Sequence, residues 1–133
     1  MATMTRLELR SKGVNPGLTV NDLKKSIRFY TEGLGFGLDP RPNMQQEGRF
    51  AMLVAGNASL GLGQDDFAKG RDRVKGTGMR LWIETSQDIR ALSEQVKRAG
   101  YSLDSEPEKM PWGPLAFSLT DPDGFKLTVS EET

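Results

Sequence analysis

The stretch "GLTVNDLKKSIRFYTEGLGF", residues 17–36, joins a short strand to an amphipathic helix. Asn21 or Asp22 can cap that helix, because a side-chain oxygen at this position accepts a hydrogen bond from a first-turn N–H. Large apolar side chains then recur at four, three and four residues, the spacing of one stripe on a helix. Gly33 and Gly35 predict the end of the helix. The stripe consists of Leu23, Ile27, Tyr30 and Leu34.

Strands follow the helix in the first half of the chain. Residues 37–42, "GLDPRP", contain a turn, and two strand-like runs come next, "RFAMLVAG" at 49–56 and "ASLGLG" at 58–63. Gly56 and Asn57 stand between these runs and favour the tight connection of a β-hairpin. The first half is therefore predicted to hold a strand, a helix and about three strands.

The second half repeats this order. Residues 79–85, "MRLWIET", form a predicted strand, and Ser86 or Asp88 can cap the helix that follows. Gly100 ends that helix. Its apolar stripe consists of Ile89, Leu92, Val96 and Ala99. The strand-like runs after it are residues 101–108, 113–120 and 125–130.

The repeat predicts one domain, residues 1–133, built from two similar modules at about 13–64 and about 79–131. A single module has a sheet face that it cannot cover alone, so two copies are expected to pack together. Residues 65–78 are charged and contain glycine, which is typical of a solvated linker. The alternative is a mobile lid that carries Phe67 over a site.

Composition narrows the classes of partner. The 18 basic and 18 acidic residues give a formal net charge of zero, which favours small molecules or a second copy over nucleic acid or a membrane surface. The chain has no cysteine and no histidine, so it lacks thiolate and imidazole ligands as well as the usual general base. No run approaches the roughly 18 apolar residues of a membrane span, and a cytoplasmic location is the default expectation.

Two strands of the second half alternate apolar and polar side chains. After the turn "DPDG" at 121–124, Phe125, Leu127 and Val129 fall on one face of a strand, and Lys126, Thr128 and Ser130 fall on the other. In the strand at 79–85, Leu81 and Ile83 likewise point to the core and leave Arg80, Trp82 and Glu84 on the opposite face. The polar faces of both strands are predicted to line a cleft.

The segments "LTVNDLKKSIRFYTEGLGF" at 18–36 and "PWGPLAFSLTDPDGFKLTV" at 111–129 resemble the glyoxalase, bleomycin-resistance and extradiol-dioxygenase family, also called the vicinal oxygen chelate superfamily. The resemblance covers roughly residues 13–130. It implies an α+β fold of paired βαβββ modules, with sheets that curl around a cleft and helices outside. It also implies, in many members, a homodimer that completes two clefts.

Metal-dependent members of the family hold their ion with a histidine or similar ligand in the first strand of each module and a glutamate in the final strand. By the resemblance these positions fall on Asn15, on Arg80 or Leu81, and on Thr128. The alternation of the strand favours Arg80 over Leu81. A guanidinium stays protonated in proteins and repels a cation, so the sequence predicts neither a metal nor another cofactor.

Each candidate side chain has a functional and a structural interpretation. Trp82 could stack on a planar ligand or only fill the cleft, and Trp112 is placed at the cleft rim. Arg80 could clamp a carboxylate or phosphate, or pair with Glu84. Glu84 could act as a general acid or base between aromatic and strand walls, or only neutralise Arg80 or Lys126. Many relatives carry an arginine where this chain has Leu115.

The sequence therefore predicts a metal-free homodimer that binds a small organic molecule. By the resemblance its role is to sequester a drug or metabolite, as the bleomycin-binding members of the family sequester a drug. The alternative is an enzyme, either a glyoxalase-like lyase, isomerase or dioxygenase with an atypical site, or an acid–base catalyst that uses Glu84. A third interpretation is an interaction module with a vestigial cleft. The predicted ligand-binding residues are Asn15, Arg80, Trp82, Glu84, Trp112, Lys126 and Thr128.

Overall fold

The computed structural model describes residues 6–132 and places them in two β-sheets, each with its own helical segment. The first sheet has the strand order β1-β5-β4-β2, with β3 paired to β4, and the second has the order β6-β9-β8-β7. The strands of the first sheet are β1 Gly17–Val20, β2 Gly37–Leu38, β3 Gln45–Gln46, β4 Phe50–Ala55 and β5 Ala58–Gln64. Those of the second are β6 Arg80–Thr85, β7 Ser105–Lys109, β8 Leu115–Thr120 and β9 Lys126–Glu131.

Both sheets follow the same plan. In each, the first strand runs parallel to the last strand of its module, since β1 pairs with β5 and β6 pairs with β9. The long connection that parallel pairing requires contains a helix and the remaining strands of the module. Ala55 pairs with Ala58, so the predicted hairpin at Gly56 and Asn57 is confirmed. The α+β class and the repeated modules are confirmed as well, although the sheets do not close into a barrel.

Aspartates begin both helices. Helix α1 spans Leu23–Arg28 and continues as a π-helical segment, Phe29–Gly33, while α2 spans Ile89–Arg98. The Asp22 carboxylate accepts a hydrogen bond from the Lys25 N–H, and Asp88 does so from the second and third residues of its helix. Of the alternative caps, these two aspartates are the ones used. No helix within residues 6–132 combines the length and apolarity that a membrane crossing needs.

Tyr30 of the predicted helical stripe is buried, together with Phe29 and Phe36. Phe29, Tyr30 and Phe36 lie in one cluster with Leu127 and Val129 of β9. The Tyr30 ring meets Phe29 edge to face, with 5.0 Å between centroids. The core therefore includes side chains from both modules, as expected for halves that cannot cover their sheets alone.

The segment between the sheets is mostly exposed, and it is also held by ion pairs to a buried aspartate. Asp65 is buried there, and its carboxylate forms ion pairs with Arg73 at 3.2 Å and Lys75 at 2.9 Å. The Lys75 ammonium also donates to Asn21 Oδ1 at 2.7 Å. A buried carboxylate requires such partners, so these contacts anchor the segment to the first module. Phe67 lies 4.4 Å beneath the Arg71 guanidinium, a cation–π contact that the lid interpretation did not foresee.

Candidate functional site

The polar faces of β6 and β9 form the candidate site. Arg80, Trp82 and Glu84 are exposed, whereas Leu81 and Ile83 between them are partly buried against the core. This confirms the alternation predicted for β6. The parallel register then sets each β6 residue beside a residue of β9, and the paired positions determine which side chains can touch.

Hydrogen bonds link the two strands across this face. Arg80 Nη1 donates to Thr128 Oγ1 at 3.0 Å, and Trp82 Nε1 donates to Ser130 Oγ at 3.1 Å. Thr128 and Ser130 are only 2% and 0% exposed, so their hydroxyls need these donors. Ser118 Oγ of β8 lies 3.5 Å from Thr128 Oγ1, so the hydrogen-bonded side chains continue onto a third strand. Arg80 therefore has a hydroxyl of β9 as a partner, and its pairing with Glu84 stays a prediction.

Two tryptophans stand at the edge of the face. The Trp82 and Trp112 ring centroids are 5.8 Å apart with the ring planes tilted by 37°. Their exposed fractions are 43% and 58%, which is high for such large apolar side chains. Aromatic rings of this kind offer wide contact area at little entropic cost. The pair can therefore stack against a planar molecule.

An apolar cavity of about 150 Å³ lies between the two modules beside Trp82. A cavity of this size admits a group as large as an aromatic ring. Its walls come from both sheets and from the loop after the first helical segment. They include Phe36, Leu60, Leu81, Trp82, Ile83 and Leu127. Phe36 and Leu60 were not predicted as site residues, because a strand pattern shows which side of a sheet a residue faces but not which elements meet.

The remaining predicted residues lie in different surroundings. Asn15 precedes β1, is exposed, and accepts a hydrogen bond from the Ser59 hydroxyl through its side-chain oxygen. Lys126 is exposed and donates to Thr120 Oγ1 at 3.1 Å. Glu84 is exposed too, so the side chain is not enclosed between walls as the sequence predicted. Its role as a general acid or base stays a prediction.

The residues at the family's metal positions do not suit a metal. By the resemblance they fall on Asn15, on Arg80, which the strand alternation favours over Leu81, and on Thr128, and these residues supply an amide, a permanent cation and a hydroxyl. Within residues 6–132, no group of three or more Asp, Glu, His or Cys side chains is arranged to hold an ion. The Arg80 guanidinium, hydrogen-bonded to Thr128, would repel a cation placed between these two positions.

A buried pair of acidic groups lies away from this face. Tyr30 Oη donates to Asp121 Oδ2 at 2.7 Å, and burial raises the pKa of the Tyr30 hydroxyl further above its usual range. Burial also raises the pKa of the Asp121 carboxyl, although the hydrogen bond from Tyr30 opposes that rise. Asp121 belongs to the turn between β8 and β9, so this pair fastens the first helical segment to the second module.

Comparison with known proteins identifies relatives of the same architecture. The sequence model of the Glyoxalase/Bleomycin resistance protein/Dioxygenase superfamily matches residues 13–129. A probable chloroplastic lactoylglutathione lyase of Arabidopsis thaliana is 29% identical over 122 residues, which cover 84% of this chain and 33% of the relative. The chain thus spans about a third of the length of that curated relative.

Solved structures agree on the fold. A superfamily member from Sphaerobacter thermophilus is 25% identical, with a TM-score of 0.71 and coverage of 92% of this chain and 98% of that one. A lactoylglutathione lyase from Agrobacterium tumefaciens is 16% identical, with a TM-score of 0.67 and coverage of 92% and 95%. The second likeness concerns the fold alone.

Proposed function

The chain belongs to the Glyoxalase/Bleomycin resistance protein/Dioxygenase superfamily, and we propose that within it this protein binds a small organic molecule without a metal ion. The observation that carries the proposal is the Arg80 guanidinium, which lies 3.0 Å from Thr128 Oγ1 and thus holds a fixed positive charge between two of the family's metal positions. Sequestration of a drug or metabolite is the corresponding biological role.

The ligand that suits this face is planar and carries an anionic group. The exposed pair of Trp82 and Trp112 supports stacking of an aromatic ring, and the cavity beside Trp82 supports insertion of an apolar substituent. Arg80 can offer a carboxylate or phosphate the donors that it does not use on Thr128. Lys126 and Asn15 add polar contacts at the margins.

Tryptophan fluorescence tests the proposal directly. Chelator-free protein is titrated with a panel of aromatic carboxylates and neutral aromatic compounds, and we expect saturable quenching by some of them. Arg80→Ala should weaken the binding of the carboxylates more than that of the neutral compounds. Arg90→Ala removes an exposed arginine of α2 and serves as the matched control. Absence of saturable quenching across the panel would contradict the proposal.

Metal content supplies an independent test. Elemental analysis of protein purified without chelators should find no stoichiometric divalent metal, and divalent salts should not raise the melting temperature, since a ligand bound to the folded state would do so. Stoichiometric zinc, nickel, manganese or iron would overturn the metal-free proposal.

The rival function is that of a lyase, favoured by the likeness to the Arabidopsis protein. An assay for lactoylglutathione turnover separates the two, because a binding protein has no activity that depends on its site. If turnover occurs, Glu84→Gln tests the acid–base role, with Glu94→Gln on the surface of α2 as the control. Turnover that Glu84→Gln abolishes would favour the enzyme.

The homodimer forms part of the same proposal. β1 and β6 each lie at one edge of their sheet, and such edges are suited to pairing with another chain. Light scattering coupled to gel filtration should give twice the 14.7 kDa mass of the chain. A monomer across micromolar concentrations would contradict the dimer but not the binding site. A cytoplasmic location remains a prediction.

A further inference from the structure

A second cavity opens beside the start of β6 and β9. It has a volume of about 480 Å³ and is lined by residues 75–80, by Gly124 in the turn and by Lys126. The charged side chains among these lining residues are all basic. The cavity meets the candidate site at Arg80, which borders both.

Arg80 and Lys126 are direct register partners across the parallel pair of β6 and β9. Neighbouring strands lie about 4.8 Å apart, and like charges placed opposite one another destabilise a sheet. Arg80 donates hydrogen bonds to the Thr128 hydroxyl and the Leu127 carbonyl, and Lys126 donates one to the Thr120 hydroxyl; all three acceptors are uncharged. Two positive charges therefore face one cavity.

The loop across the cavity is held in place before any ligand arrives. The Lys75 ammonium is fixed between Asp65 and Asn21, so its charge is already neutralised. Gly76 packs so closely on the turn that a Cβ there would lie 2.5 Å from the Gly124 carbonyl oxygen. Among the described residues, no backbone acceptor engages the N–H groups of Thr77 and Gly78. Both residues are exposed, so their amides can donate to a ligand, and the contact of Gly76 with the turn limits the movement of the loop, which lowers the entropic cost of binding.

We propose that this cavity binds an oxyanion group, a phosphate or a carboxylate, between Arg80, Lys126 and the amides of the 76–78 loop. An anion there relieves the repulsion between the two cations and accepts charge-assisted hydrogen bonds from both. The inference deepens the proposed function, on which it rests through Arg80, and it places the anionic part of the ligand at this end of the sheet. The ring then extends along β6 towards Trp82.

Amide chemical shifts of the full chain test the site with inorganic phosphate as the probe, at constant ionic strength. We expect saturable shifts at Gly76, Thr77 and Gly78, and about tenfold weaker binding in Lys126→Gln, as the loss of one charge-assisted hydrogen bond predicts. Lys24→Gln, which removes an exposed lysine of α1, should bind as the parent does. Shifts spread evenly over the surface, or equal weakening in both variants, would overturn the site.

Parallel titrations with benzoate and with a neutral aromatic compound separate this inference from the proposed function. Benzoate that shifts the loop amides and quenches tryptophan fluorescence indicates that a carboxylate occupies the site, whereas phosphate alone indicates a free or esterified phosphate. If the neutral compound quenches fluorescence while neither anion shifts the loop, the anion site is wrong and the organic-ligand site stands. Phosphate shifts without any aromatic binding would support the anion site and contradict the organic-ligand site.

Discussion

Asp65 is a buried carboxylate that anchors the segment between the two sheets. The composition of this segment did not decide between a solvated linker and a mobile lid. The hydrogen bond from Lys75, followed by that from the Phe67 N–H, lowers the pKa of Asp65 from 3.8 to about 2. A lowered folded-state pKa means that the stabilisation is complete well above pH 3.8 and is lost as the pH falls towards 2. The anchor is therefore acid-sensitive.

Asp65→Asn should consequently lower the melting temperature at pH 7. The difference in melting temperature between variant and parent should become smaller as the pH is lowered from 5 to about 2.5, because the parent then protonates Asp65. Thermal unfolding followed by circular dichroism measures both curves. Asp72→Asn, in the same segment but exposed, provides the control. A gap that is constant with pH would mean that the ion pairs with Lys75 and Arg73 do not carry the effect.

Single residues also separate what a pattern can predict from what it cannot. Alternation placed Arg80, Trp82 and Glu84 on one face correctly, since side-chain direction in a strand follows from the local backbone. The hydrogen bond from Arg80 to Thr128 was not foreseen, because Thr128 lies 48 residues away and is reached only through the β6–β9 register. Asp65 was missed because nothing in a charged run identifies which charged side chains become buried.

Elements were predicted more fully than contacts. The helix caps Asp22 and Asp88 and the hairpin at Gly56 and Asn57 depend on neighbouring residues, so the sequence carries their signals directly. The π-helical segment Phe29–Gly33 was not foreseen. It continues a run whose spacing is that of an ordinary α-helix, and no residue within it signals the wider turn.

Two glycines of the loop before β6 allow the energetic cost of a steric clash to be measured separately from the cost of backbone strain. Gly76 and Gly78 both have φ of +77°, but a Cβ would meet the Gly124 carbonyl oxygen at 2.5 Å only at position 76 and would reach open space at position 78. Both alanine variants incur the left-handed backbone cost of about 1–2 kcal/mol. Gly76→Ala should lose a further 1–3 kcal/mol or so, because the turn must move.

Urea denaturation of the two variants measures this difference, with the Gly78→Ala protein acting as the matched control for backbone strain. Equal losses in the free energy of unfolding would show that the loop and the turn at 121–124 can move apart at no energetic cost. Since the loop borders the proposed oxyanion cavity, Gly76→Ala should also weaken phosphate binding, as the amides of residues 77 and 78 would shift with it.

At the scale of the whole molecule, the turn at 121–124 joins the two modules. Asp123 accepts hydrogen bonds from the Asn21 N–H at 2.9 Å and the Ser26 hydroxyl at 3.3 Å, and Asp121 accepts from Tyr30. A turn of the second module thus holds the start and middle of the first helical segment. The repeat in the sequence predicted two halves, but their attachment depends on contacts about 100 residues apart, beyond the reach of local patterns.

Tyr30→Phe tests that attachment. The substitution leaves the ring packed and removes only the donor to the buried Asp121 carboxylate, so we expect a loss of about 1–3 kcal/mol in the free energy of unfolding at pH 7. Tyr101→Phe is the matched control, because Tyr101 packs against the same Phe29 ring at 4.9 Å between centroids but makes no hydrogen bond of its hydroxyl within residues 6–132.

The loss should also depend on pH in a definite direction. Burial raises the folded-state pKa of Asp121, so its charged form costs stability above that pKa and the cost is relieved as the pH falls. The Tyr30 hydroxyl offsets this cost only while Asp121 is ionised. Urea denaturation should therefore show that the free energy of unfolding lost in Tyr30→Phe becomes smaller from pH 7 to pH 4. A loss that grows in acid would mean that Asp121 is not the group that the tyrosine stabilises.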